Sequence, residues 1–509
     1  MDTPISRISA ASYRSSAVRD WLFITAMLAV AWLPLVFFGL VMVTLGMVWG
    51  VWQATFAPLM WVVIGASRAF SGKAPLPGRA VQPDGEPDLA SLVRGVAEQV
   101  GFDASLLVRV IPVPDAALGR AKVAGGHSYV LLLGLPMLRV LSARQLAAVI
   151  AHELAHEQHV RQGRTAWLLN ARTTLAQRLQ GRFRPLAPLA APLLRATQPR
   201  VWQVELAADA DAARVAGTAA TRQALELTGL LVATFDGLAE PWLAEPAGQG
   251  TYPEDFYDAF AAALQDPHVT RRSAMVAADH DAVDPHATAD HPPLAQRLAA
   301  LPQVDAAASY GAEPLVLRSG PEIEQWCVKE LIEGDVQSVD ATRRRNKAVR
   351  AGKRGREGAG RGLLQPVRIL ELDPDLLRGS TEDEGLALVL AVTRQEAPTQ
   401  ALSVHLNAIA DGSWPLLARR FEPDLRWLPP VERPAAARMI MTGATGTVLV
   451  TVLRAAGWTY ANRWMSTVLA APDGSVVDVY DLLRDALDDG DPTPVRALLA
   501  TAGTEEAPV

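Results

Sequence analysis

The chain has one cysteine in 509 residues, Cys327, which excludes an intramolecular disulfide and a cysteine-rich metal site. It also lacks a basic excess. Lys and Arg number 48 against 54 Asp and Glu, a net charge of −6, which argues against nucleic acid as the main partner. Two local absences say more. Between Trp21 and Ser67 no residue is charged, and between Glu157 and Glu205 there is no acid, although that interval holds eight Arg.

The uncharged run covers 47 positions, and one membrane crossing needs about 20 apolar residues. It is therefore read as a transmembrane helical hairpin, roughly 21–40 and 44–64, with Gly46, Gly50 and Gln53 near its turn. Trp21, Trp32, Trp49, Trp52 and Trp61 suit interfacial belts. Arg7, Arg14 and Arg19 precede the run and Arg68, Lys73 and Arg79 follow it, so the positive-inside rule puts both ends and the body of the protein in the cytoplasm. The expected location is the inner (cytoplasmic) membrane. A signal-peptidase site at Ala29-Val30-Ala31, which would leave one span and export the rest, is an alternative, as is a buried core hairpin. In the acid-free interval, Leu168, Leu169, Leu175 and Leu179 with Arg164, Arg172, Arg178 and Arg182 form a basic amphipathic helix. It either lies on anionic lipid or packs on the rest of the protein.

What is present begins with Ala151-His152-Glu153-Leu154-Ala155-His156. On a helix, positions i and i+4 share a face, so the two imidazoles reach one point, as Zn²⁺ requires. Glu153 lies beside that face, placed to take a proton from an attacking water. Ser142 and Gln145 have the spacing of a capping box, and Leu146, Val149, Ile150 and Leu154 give an apolar stripe. A catalytic zinc needs a third protein ligand. Glu205 and Asp209, again i and i+4 in an Ala-rich helical stretch, supply one: Glu205 completes a His₂Glu set and Asp209 can fix a histidine tautomer behind it. The competing reading is two solvated helix carboxylates. His159, i+3 from His156, reads as a surface histidine.

From about residue 88 to 303 the sequence resembles the HtpX-like zinc metallopeptidases, gluzincins related to the CAAX prenyl protease. The resemblance rests on the apolar stretch 129–135, the HELAH motif, Glu205-Leu206-Ala207-Ala208-Asp209, and Asp290-His291-Pro292-Pro293 followed by Arg297-Leu298. It implies one zinc per chain on His152, His156 and Glu205, Glu153 as general base, and His291 near the site to stabilise an oxyanion or gate access. It also implies a strand just before the zinc helix that pairs with substrate backbone, here Tyr129, Leu131 and Leu133, with Arg297 also facing substrate. A fully buried core strand is the alternative. The 157–205 interval departs from the family, in which membrane spans commonly follow the zinc helix.

The predicted architecture is α+β. A mainly helical zincin-like peptidase domain with a small sheet (89–305) follows a cytoplasmic tail (1–20), the transmembrane hairpin (21–66) and a Pro/Gly linker (67–88). Segment 248–291 reads as an irregular acidic loop containing Glu254, Asp255, Asp258, Asp279, His280, Asp281, Asp284 and His286. A helical connector (306–342) leads to a basic linker (343–361) with nine basic residues against Glu357. A separate α/β domain follows (362–509), with strands expected at 367–372, 386–392, 447–453, 463–469 and 476–480 and a turn at Pro472-Asp473-Gly474-Ser475. It contains no catalytic constellation, phosphate loop or repeat. The function expected is a membrane-anchored zinc metalloendopeptidase acting on peptides or membrane-associated proteins, membrane-protein quality control being one such role. The alternative is a non-catalytic membrane scaffold or regulator whose working part is the C-terminal domain. Retention of Glu153, which is no ligand, favours the enzyme.

Overall fold

The structure, a computed structural model, describes residues 10–49, 76–123, 126–160, 163–180, 186–248, 251–280, 289–306, 310–333, 365–373, 379–428 and 430–503. Most of the second predicted span, the whole basic linker 343–361 and the residues 281–288 fall outside these.

α1 (Ala10–Trp49) is one uninterrupted helix, so the first apolar segment does not end at residue 40, and a turn at or beyond Gly50 lies outside the described residues. Its stretch Val18–Met42 is long and apolar enough to cross a bilayer, and only 18% of it is buried. Val36, Phe37 and Leu40 are more than 60% exposed. Its covered stripe, Ile24, Met27 and Ala31, packs against two helices described below.

The sheet is built from β1 (Arg79–Ala80), β2 (Leu106–Ile111), β3 (Ala116–Val123) and β4 (Gly126–Gly134) in the order β1-β2-β4-β3. β4 runs parallel to β2 and antiparallel to β3. α2 (Pro87–Val100), started by a proline whose missing N–H costs nothing there and ended by left-handed Gly101, buries Leu89, Val93 and Val96 against it. At the end of β4, a Cβ on Gly134 would collide with the Val113 carbonyl; glycine there lets the chain turn into α3 (Leu135–Val140).

α4 (Ala143–Val160) carries the HELAH motif. Its start is the expected capping box: Gln145 N–H donates to Ser142 Oγ (3.3 Å) and Ser142 N–H to Gln145 Oε1 (2.9 Å). The Ala143 and Arg144 N–H groups are taken by the Glu313 and Gly311 carbonyls, so the helix end is satisfied. α5 (Arg164–Gln180) and α6 (Ala187–Ala216) form a hairpin, and α7 (Thr218–Gly248) follows. The apolar face of α5 (Leu168, Ala171, Leu175, Leu179) and the first turns of α6 (Ala187, Ala190, Leu194) form one core with α1. The basic helix thus packs on protein; whether its outer face meets lipid is a separate matter.

Segment 248–291 is ordered where described, which corrects the irregular loop. β5 (Thr251–Pro253), α8 (Phe256–Ala263) and α9 (Pro267–His280) occupy it because Phe256, Tyr257 and Phe260 bury into the main core. α10 (Leu294–Ala300) and α11 (Gly320–Glu333) complete this half.

The C-terminal part is mainly helical rather than α/β. Residues 386–392 and 447–453, expected as strands, lie inside α12 (Gly379–Thr393) and α15 (Arg433–Ala455). These short apolar runs fit either period. Met441, Thr445, Val448, Leu449 and Val452 recur three to four residues apart and bury as one helical face. α13 (Pro398–Ala410), α14 (Trp414–Phe421), α16 (Val479–Asp489) and α17 (Thr493–Thr501) surround α15 in a core of their own. The expected turn at 472–475 does join two strands, β8 (Val468–Ala470) and β9 (Val476–Asp478), with β7 (Thr459–Tyr460) beyond β8. This unit is docked, not detached. β6 (Gln365–Val367) pairs in parallel with β5, Trp242 meets Trp464, and Arg272 contacts Asp478 (2.9 Å) and the Tyr480 ring.

Candidate metallopeptidase centre

α4 and α6 pack along each other, and the HELAH face of one meets the Glu205–Asp209 face of the other. His156 Nε2 lies 2.8 Å from Glu205 Oε1, and His152 Nε2 lies 3.4 Å from Glu205 Oε2. His152 turns its other nitrogen to Asp209, with Nδ1 2.9 Å from Oδ1, in contact though not aligned as a good hydrogen bond. Arg297 donates twice to Asp209, from Nε (2.8 Å) and Nη2 (2.7 Å). A chain of contact therefore runs Arg297, Asp209, His152, Glu205, and it is nearly dry: Glu205 and Asp209 are 1% and 2% exposed. His291, on the segment before α10, places Nδ1 2.7 Å from Glu205 Oε2 and leaves most of its ring exposed.

The electrostatics follow from burial and pairing. Burial opposes protonation of His152, but contact with Asp209 and Glu205 outweighs it and raises the imidazole to about 10. Burial by itself favours a neutral Glu205; the charge of His291 and hydrogen bonds from three histidines reverse this and hold it well below the usual carboxylate range. Asp209, likewise pulled up by burial, is brought down to about 2 by Arg297 and His152. Glu153 differs. Burial raises its pKa and the two flanking histidines only partly offset this, so it holds a proton more readily than a solvated glutamate. No hydrogen bond or ion pair to another described residue occupies Glu153.

Two neutral-capable imidazole nitrogens and a carboxylate converging from two rigid helices are a donor set suited to zinc. Ligand atoms about 2.0–2.1 Å from a tetrahedral zinc sit roughly 3.3 Å apart. The 3.4 Å His152–Glu205 spacing meets that. The 2.8 Å His156–Glu205 contact is a direct bond that a metal would replace, and no open cage of three such groups occurs among the described residues. The residues fit the ion, with Glu205 drawn onto its partners.

Residues 83–305 match the model of peptidase family M48. The match spans β2 to β4, α4, α6 and α10 and supports a metallopeptidase there; it does not reach α1, β1 or the C-terminal unit. No curated protein and no solved structure matches the chain.

Within the M48 region two sequence expectations need correction. Tyr129, Leu131 and Leu133 lie on β4, an inner strand bonded on both sides, and all three are buried, so they form core instead of a substrate ledge. The long strand with a free edge among the described residues is β3. Arg297 faces Asp209, not the cleft, because a buried carboxylate needs a partner. His159 pairs with Asp211 (2.7 Å) and takes no part in the centre. Sequence reading missed Glu157. It accepts from Arg120 of β3 (2.6 Å) and from the Tyr129 hydroxyl (3.1 Å), and so bolts the sheet edge to the helix one residue after His156. Its position directly after the motif was the available signal. Of the acidic residues expected in a loop there, Asp255 accepts from the Ile369 and Leu370 N–H groups and Asp258 pairs with Arg139, while Asp281, Asp284 and His286 lie outside the described residues.

Proposed function

We propose that the chain is a membrane-anchored zinc metalloendopeptidase of the HtpX-like type. The observation that carries this is the convergence of His152, His156 and Glu205 from two packed helices, with unpaired Glu153 beside them. His152, His156 and Glu205 would hold the ion. Bound there, zinc supplies a Lewis acid that polarises the scissile carbonyl and acidifies water. Glu153 accepts the proton of the attacking water and delivers it to the leaving amine, a role its raised proton affinity favours. Asp209, clamped by Arg297, holds the orientation of His152. His291 holds Glu205 and keeps most of its ring exposed, where it can also meet a developing oxyanion. Substrate main chain pairs with the free edge of β3, which Arg120 and Glu157 fix alongside the zinc helix.

The lipid-facing role of α1 rests on its exposed apolar surface. By the positive-inside rule the charged flanks support a peptidase region on the cytoplasmic side of the inner membrane, where membrane proteins under quality control are candidate substrates. Reporter fusions after Arg79 and Val509 test the topology: activity that depends on export at both positions contradicts it. Metal analysis of the purified chain, with cleavage of labelled casein before and after chelation, tests the chemistry. One zinc per chain and chelator-sensitive cleatage are expected; cleavage that survives metal removal overturns it.

A further inference from the structure

Arg172 is the largest fully buried side chain in the described residues, and it lies outside the zinc centre. It sits on α5, on the same face as Leu168, Leu175 and Leu179, which share a core with the apolar stripe of α1. Its Nη1 donates to the Leu194 carbonyl (2.5 Å) and to Thr197 Oγ1 (3.2 Å), both on α6. Its Nη2 donates to the Ala289 carbonyl (3.1 Å), and Nε lies 3.4 Å from Asp290 Oδ1. The residue after Asp290 is His291, which bonds Glu205 on the same α6. One guanidinium therefore joins three pieces of chain: the α5 helix, the first half of α6, and the segment that delivers His291.

Burying an arginine costs several kcal/mol unless its charge and N–H groups are matched. A helix pair needing only packing would place leucine there, as α5 does at Leu168, Leu175 and Leu179. The planar fork of arginine is suited to bridging carbonyls on two separate segments, which a lysine or an apolar residue cannot do. The Leu194 and Thr197 contacts would be enough for helix packing. The contacts to Ala289 and Asp290 have a different effect: they hold the Ala289 carbonyl and the Asp290 side chain, two residues and one residue before His291.

We propose that Arg172 is a positioning residue that sets where His291 stands against Glu205, and so ties the candidate centre to the α1–α5–α6 bundle. This rests on the metallopeptidase reading only for its catalytic consequence; the positional claim is independent of it.

The test uses the full-length chain with a nitroxide on Ala295→Cys, an exposed site on α10, and a control label on Glu98→Cys of α2. Single labelling is feasible because Cys327 is fully buried. Arg172→Gln removes the bridge, Arg172→Lys keeps charge with less reach, and Thr197→Val removes an α6 contact alone. In Arg172→Gln, and more weakly in Arg172→Lys, the label at 295 becomes more mobile while that at 98 is unchanged. Cleavage of labelled casein falls about 10–100-fold in kcat, the range typical of lost ligand orientation, with little change in KM. Thr197→Val stays close to wild type in both. Unchanged mobility at 295, or equal loosening at 98, overturns the proposal, as does local loosening with full kcat. Loosening confined to 295 in a wild-type background that cleaves nothing upholds the positional claim and removes the peptidase reading instead.

Discussion

The two largest hydrophobic cores among the described residues treat charge differently. The core around the sheet and α4 buries His152, Glu205, Asp209, Glu86 and Asp255, with Arg172 close by. The C-terminal core, among its described residues, buries hydroxyls, Asn462 and His405, and no Asp, Glu, Lys or Arg. Charge burial is expensive unless every ion is paired, so each buried charge needs a reason. For Glu86 and Asp255 the reason is structural: each caps backbone N–H groups, Arg318 and Ser319 in one case, Ile369 and Leu370 in the other. Glu205 and Asp209 cap nothing. They bond only to other ionisable side chains, which converge beside an unpaired glutamate. The same contrast separates the two helices that, among the described residues, are long and apolar enough to span a membrane. α15 is 61% buried and serves as the axis of the C-terminal core, whereas the apolar stretch of α1 is mostly uncovered.

The largest effect that sharpens this comparison comes from Glu205→Ala. It should lose zinc and all cleavage, measured by metal analysis and casein hydrolysis, while a Thr445→Ala change in the other core leaves both intact. Zinc bound as tightly as in wild type would send the search for the third ligand to His291. Asp209→Ala comes next, with metal affinity weakened by about 10–100-fold in a chelator competition, because it orients a ligand without being one.

The third effect belongs to the C-terminal core. Burial drops His405 to about 4 from 6.5, its Nδ1 bonded to Thr445. A base with a lowered folded pKa binds fewer protons than the unfolded chain between those values. Its contribution to stability is therefore intact above pH 6.5 and lost as pH falls towards 4, by up to about 3 kcal/mol. His405→Gln should flatten the acid limb of the unfolding curve for this unit; an unchanged limb would show that other groups carry it. The smallest effect is at the junction. Asp478→Ala removes one partner of Arg271, which keeps Asp481, and the carboxylate partner of Arg272; it should loosen docking by about 1 kcal/mol, seen as earlier protease cutting between the two cores with metal content unchanged.

Much of the candidate centre was legible because helical spacing dictates which side chains share a face. HELAH, Glu205 and Asp209 need only the period of 3.6, and the Ser142–Gln145 box is local chemistry. What depended on the order of strands was not legible. β3 and β4 are adjacent in sequence, and nothing in Tyr129 to Leu133 says that β2 pairs with its far side. Arg297 was recognised but given the wrong partner, since the need of Asp209 for a cation appears only once its burial is known. In the C-terminal part, the short apolar runs 386–392 and 447–453 fit both periods, and tertiary packing made them helices.

The central claim is that Glu153 does chemistry while its neighbours hold metal. Glu153→Gln, purified as the full chain and assayed side by side for zinc content and casein cleavage, tests it most directly. One zinc per chain with no detectable cleavage is the predicted result. Cleavage at the wild-type rate, or loss of the zinc, would contradict it.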